Sequence, residues 1–155
     1  MSSSYDESYC LWDVTSGDLL AQWPTQNTTY LALAIHPNGT IMAAGGRDSV
    51  TRLVEIASGR VIEELHGHQR TVESISLCPI ATGDPATDAQ MLVTAGHDET
   101  IKLWALPVAG ASPDTTTCLA TLRAPGPYAG MNISGATGIS EAQKAALKAL
   151  GAVEE

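Results

Sequence analysis

His68, Thr94 and Asp98 are the residue types of a nucleophilic hydrolase: a hydroxyl, an imidazole to take its proton, and a carboxylate to orient the imidazole. Other chemistry has thinner support. Four His (His36, His66, His68, His97) and three Cys (Cys10, Cys78, Cys118) occur, but they do not combine at the spacing of zinc ligands. Gly45-Gly46 and Gly126/Gly130 read as turn glycines, and no phosphate loop with a following Lys-Ser/Thr exists. Carboxylates fall mostly in loops and on polar strand faces, where solvation explains them. No metal and no cofactor are expected.

Composition narrows the partners. The chain has 155 residues, 44% of them apolar and 16% charged, which suits a folded soluble domain. Phe is missing, so the core must draw on Leu, Ile, Val, Ala and three Trp. The net charge is −9 with 8 scattered Lys plus Arg, which argues against nucleic acid. Cys10, Cys78 and Cys118 are odd in number, widely spaced and set in apolar runs, so they read as free thiols of a reducing compartment, and cytoplasmic localisation is expected. Met1–Asp6 has no signal-peptide character and no apolar run spans a membrane, so no membrane association is expected.

The elements that position these residues come from a repeat. Leu11-Trp12-Asp13-Val14 superposes on Leu53-Val54-Glu55-Ile56 at an offset of 42, together with Asp6 on Asp48 and Ser16-Gly17 on Ser58-Gly59. Leu103-Trp104-Ala105-Leu106 and Asp98 follow at an offset of 50, the surplus falling in the Gly, Pro and Asp-rich stretch Ile80–Gln90. A further insertion, Pro107–Thr117, also sits where a turn belongs. Each unit divides into four short strands with period-two patterning: Tyr30–His36, Ile41–Gly46, Thr51–Ile56 and Val61–Leu65, then Val72–Cys78, Met91–Ala95, Ile101–Leu106 and Cys118–Leu122. Half a unit precedes them, at Ser8–Val14 and Asp18–Trp23. The fold class is all-β: antiparallel four-stranded propeller blades, two complete (30–65 and 72–122) plus one half (5–23), with a short C-terminal helix.

Residues 5–123 resemble the WD-repeat family. Gly67-His68 matches its Gly-His pair, Leu11-Trp12-Asp13 its Trp-Asp pair, and Thr94–Trp104 is close to a full match, with Ala105 replacing the Asp. The resemblance implies a structural tetrad in place of a catalytic triad: Trp104 bonds Thr94, Thr94 bonds His68, and His68 bonds Asp98. It therefore implies no catalytic residues and no enzyme. The blade at 30–65 departs from the pattern, with Val54 for Trp, Gln26 for His and Ala44 for Thr, so apolar packing is expected to replace its polar lock. The half unit keeps Asp6 and Trp12 but is expected to lack the strand carrying its Ser or Thr.

Residues 124–155 read as a Pro/Gly-rich linker and a helix at 140–150. Ser140-Glu141-Ala142-Gln143 forms a capping box, and Gly151 stops the helix. Ala142, Ala146, Leu150 and Val153, widened by Leu147, make a stripe by which the helix is expected to dock. This tail, from Pro127-Tyr128 to Gly151-Ala152, resembles the C-terminal end of bacterial, cyanobacterial-type NACHT- or NB-ARC-linked WD-repeat proteins.

The expected function is a non-catalytic protein-interaction scaffold, a propeller fragment or a propeller-completing subunit. The alternative is a sensory ligand-recognition module of a bacterial NTPase-linked signalling or defence system. Closed rings hold more blades than are counted here, and Ser8–Val14 would expose an unpaired edge. Protein partners, a homo-oligomer or association with another propeller fragment are thus expected. The candidate partner-binding residues are Arg47, Gln69, Arg70 and His97, each beside a fixed structural residue.

Overall fold

The computed structural model describes residues 1–25, 27–79, 90–106, 116–126 and 128–154. Most of both insertions and Gln26 lie outside the described residues. Contacts divide the chain into two units, Met1–Leu122 and Arg123–Glu155.

In the first unit the chain forms three antiparallel sheets. The strands are β1 (Ser2–Ser3), β2 (Ser8–Trp12), β3 (Leu19–Pro24), β4 (Tyr30–Ile35), β5 (Ile41–Gly46), β6 (Thr51–Glu55), β7 (Val61–Leu65), β8 (Val72–Pro79), β9 (Gln90–Gly96), β10 (Thr100–Ala105) and β11 (Thr117–Arg123). The sheets run β1-β2-β3, β4-β5-β6-β7 and β8-β9-β10-β11, each a meander of sequential neighbours.

The first sheet differs from expectation. Ser2 pairs with Cys10 and Ser3 with Tyr9, so β2 is not a free edge and the half unit has three strands. Thr94 pairs with Lys102 on β9–β10 in the same relation to Trp104 that Ser2 has to Trp12. The strand thought to be missing is therefore present, as the two residues of β1.

Period two gives the middle sheet two buried faces. Met42, Ala44 and Val54 pack with Tyr9 and Tyr30 on one side. Ala43, Leu53 and Leu65 pack with Leu92, Trp104 and Leu106 on the other. Burying each such Leu or Val contributes about 1.5–3 kcal/mol. Tyr9 stacks on Trp23 with ring centroids 5.4 Å apart and donates its hydroxyl to the Gly59 carbonyl at 2.9 Å. Burial and the neighbouring Tyr30 push the Tyr9 phenol up to about 12. Gly59 (φ +70°) needs its missing Cβ twice over, since a methyl there would overlap the Trp23 indole.

The turn after Asp recurs in all three sheets. Glu7, Ser49 and Glu99 each take a left-handed φ between 61° and 67°. The preceding carboxylates, Asp6, Asp48 and Asp98, accept the backbone N–H groups of Ser8, Val50 and Thr100. A short-range carboxylate bond of this kind holds the turn in a conformation otherwise costly for a non-glycine residue.

The second unit carries α1, Glu141–Ala149. Ser140 Oγ accepts from Gln143 N at 3.3 Å, and Gln143 Oε1 accepts from Ser140 N at 2.8 Å. Gly151 N donates to Lys148 O and Ala152 N to Leu147 O, the paired bonds of a Schellman stop. Val153 then bridges Asn132 in parallel. Most of the expected docking stripe is unused: Ala142, Ala146, Leu150 and Val153 are exposed. Ile133 and Ala152 are buried instead, with Leu147 half-buried. The Schellman turn brings the segment after the helix back toward the Leu147 side.

Candidate partner-binding site

The third sheet brings His68, Thr94, Asp98 and Trp104 into one chain of contacts. Trp104 on β10 donates Nε1–H to Thr94 Oγ1 on β9 at 3.0 Å. His68 Nε2 lies 2.8 Å from the same oxygen, and His68 Nδ1 lies 3.0 Å from Asp98 Oδ1. With a neutral imidazole whose Nδ1–H donates to Asp98, Nε2 accepts from the Thr94 hydroxyl, which itself accepts from the indole. Thr100 extends the chain, donating its hydroxyl to Asp98 at 2.7 Å. Burial opposes ionisation of Asp98, but bonds from the Thr100 hydroxyl, the Gln69 backbone and His68 outweigh it and hold the carboxyl well below 3.8.

This geometry does not suit hydrolysis. Thr94 is 0% exposed and its oxygen is already engaged by an indole and an imidazole. A nucleophile needs an open approach for the reacting carbon. What the chain does accomplish is mechanical: it ties the loop before β8 to the β9–β10 turn, since Gln69 N donates to Asp98 Oδ2 at 2.9 Å.

The middle sheet holds a polar arrangement that the sequence reading missed. Arg52, inward-facing on β6, reaches Asp48 at 2.6 Å and Glu64 at 2.9 Å, and lies over the Tyr30 ring at 6.0 Å. Its side chain is 7% exposed. Asp48 is lowered despite burial, through the Arg52 hydrogen bond and charge. The lock expected to be absent is replaced by an ion pair within the sheet. Lys102 holds the same strand position in the third sheet and donates to Thr121 at 2.9 Å. The available signal was a cation at an inward position of Thr51-Arg52-Leu53-Val54 with Asp48 four residues earlier.

Arg47, Gln69, Arg70 and His97 are all exposed. They occupy the β5–β6 turn, the loop entering β8 and the β9–β10 turn, which antiparallel meandering places at one end of the sheets. Two contacts fix that end as common to the three sheets. The Arg47 guanidinium lies over Tyr5 of the β1–β2 turn at 5.3 Å. An added Cβ on Gly45 at the end of β5 would meet Val72 at the start of β8. His97 Nδ1 lies 3.4 Å from Glu73, and its backbone N–H donates to Thr71. Among the described residues no group of three or more His, Cys, Asp or Glu is placed to hold a metal ion. Among them, too, no helix is long and apolar enough to cross a membrane.

Sequential four-stranded antiparallel meanders, stacked face to face with their turns at one end, define the blades of a β-propeller. The family model described as "WD domain, G-beta repeat" matches residues 17–54 and 59–105, and the chain belongs to that family. It is 32% identical over 108 residues, 68% of this chain, to pre-mRNA-processing factor 19 homolog 2 of Arabidopsis thaliana, covering 19% of that protein. It is 28% identical to the nuclear distribution protein PAC1 of Coccidioides posadasii over 66% of this chain and 25% of that one. Among solved structures, the RRP9 WD40 repeats superpose with a TM-score of 0.62 at 22% identity, covering 79% of this chain and 34% of that one. The chain thus spans about a fifth to a quarter of the length of these two relatives. The family match ends at residue 105 and does not extend to the tail.

Proposed function

We propose that this chain is a non-catalytic protein-interaction scaffold, part of a WD-type propeller, which meets its partner through Arg47, Gln69, Arg70 and His97. One observation carries this reading. Exposed, chemically varied side chains stand on backbone that is held rigidly from behind: Gln69 N bonds Asp98, and Asp98 bonds His68. Preorganised side chains lose little entropy on binding, which favours them as contact residues. The buried tetrad supplies rigidity and the turn end supplies recognition. The sensory ligand-recognition alternative, tied to the tail resemblance, has no structural observation in its favour and is not adopted.

Affinity capture from the source organism tests this, comparing the natural chain with Gln69→Ala/Arg70→Glu after matching their melting curves. A protein retained by the first and lost by the second is expected. Identical captured sets would overturn the assignment of the turn end.

A further inference from the structure

Carboxylates outnumber cations in this chain, 17 Asp plus Glu to 8 Lys plus Arg, so an exposed cation without a carboxylate is unexpected. Arg52 pairs with Asp48 and Glu64, and Arg60 lies 4.0 Å from Glu55. Lys144 pairs with Glu141 and Glu154, and Lys148 with Glu154. Buried Lys102 donates to Thr121. Arg47 and Arg70 differ. Both are exposed, and among the described residues neither has a carboxylate at ion-pair distance.

The fold brings the backbones that carry them to one place. A Cβ on Gly45 would stand 2.8 Å from Val72 Cγ1, so the end of β5 packs on the start of β8. Arg47 follows Gly45 by two residues and Arg70 precedes Val72 by two, both toward the turn end. Each stands on fixed backbone. Arg47 N–H donates to the Thr29 carbonyl and its guanidinium lies over Tyr5, while the Gln69 N–H beside Arg70 is tied to Asp98. The acidic side chains of this end are placed otherwise. The position after the turn Asp is Glu7 in the first sheet and Glu99 in the third, both exposed, but Ser49 in the middle sheet. Glu73 faces His97, and Asp48 and Glu64 are held by Arg52.

We infer that Arg47 and Arg70 form a two-guanidinium seat for an acidic peptide segment of the partner, one that presents a pair of Asp or Glu carboxylates. A guanidinium offers paired N–H donors that match a carboxylate, and a carboxylate in this seat gains charge-assisted bonds without displacing one already made. Stacking on Tyr5 leaves the edge of the Arg47 guanidinium free to donate. Glu7 and Glu99 stand to either side and oppose a longer anionic run. The net charge of −9 opposes it as well, which sets a nucleic-acid backbone aside. The inference rests on reading the turn end as the partner-binding surface and names the chemistry of that partner.

The probe is a phage-displayed library of random short peptides, selected against the immobilised full chain. Selected peptides are expected to carry paired Asp or Glu and to bind less tightly as salt rises. Arg47→Gln/Arg70→Gln in the chain weakens them by about tenfold. Arg60→Gln, at the opposite end of the sheets, leaves them unchanged. Lys-for-Glu versions of the same peptides bind an Arg47→Glu/Arg70→Glu chain better than the natural one. Matched melting curves confirm that the variants fold. Selection of no peptide, of peptides without acidic residues, or of acidic peptides indifferent to Arg47→Gln/Arg70→Gln overturns the inference. If peptides without acidic residues are selected and are lost with Gln69→Ala or His97→Ala, the turn-end scaffold reading survives and only the acidic seat falls.

Discussion

Ser2 Oγ accepts the indole hydrogen of Trp12 at 2.9 Å, and Thr94 Oγ1 accepts that of Trp104 at 3.0 Å, each pair ten residues apart. The bonds are alike and their surroundings are not. Removing a partner from a buried bond leaves the other group stranded, whereas water replaces a partner at the surface. Trp104→Phe is expected to destabilise by about 1–3 kcal/mol, and Trp12→Phe by less than about 0.5 kcal/mol. Urea unfolding of the two variants reads the difference, and equal losses would contradict it.

Arg52 is buried, while Asp48 and Glu64 remain 33% and 40% exposed. The pair therefore lies between a surface bridge and a fully buried one. Arg52→Met is expected to cost about 2 kcal/mol. Arg52→Lys should recover little, because one ammonium nitrogen cannot stand both where Nη2 meets Asp48 and where Nε meets Glu64. A double-mutant cycle with Asp48→Asn should show coupling, and strict additivity would count against the ion pair.

Asp98 is held below its ordinary value in the folded chain. The stability it contributes is present above the ordinary carboxylate range and is lost as pH falls through that range toward its folded value. Urea midpoints measured from pH 7 down to 3 should fall more steeply for the natural chain than for Asp98→Asn. Parallel curves would show that the carboxylate is not coupled to folding.

Gly17 and Gly59 occupy equivalent turns with φ of +78° and +70°. An added methyl meets nothing at Gly17 and overlaps Trp23 of the neighbouring sheet at Gly59. Gly17→Ala should cost about 1 kcal/mol through backbone strain alone. Gly59→Ala should cost roughly 1–3 kcal/mol more, because the first and middle sheets must part to admit it. Thermal melts of both variants check this, and equal costs would refute tight packing of those two sheets.

The sequence displayed the strands well because turn chemistry and period-two patterning agree at fixed offsets. It showed the Thr94–Asp98–Trp104 spacing for the same reason. It hid β1, since two serines have poor strand propensity and only pairing with Tyr9 and Cys10 makes them a strand. It hid the Arg52 ion pair, because matching positions 44 and 54 to the third sheet showed only losses there. The compensating cation stands at position 52. The Ala142–Ala146–Leu150 stripe misled, since small side chains at helical spacing reflect helix propensity as readily as a buried face. The unit instead buries Ile133 and Ala152, from segments outside the helix.

Exchange of the indole N–H protons with deuterated solvent tests the locked sheet most directly. The Trp104 indole is predicted to exchange only as fast as the unit unfolds, and to lose that protection in a His68→Ala chain that still folds. The Trp12 indole is predicted to exchange rapidly in both. A Trp104 proton that exchanges as quickly as that of Trp12, or whose protection ignores His68, would contradict the account.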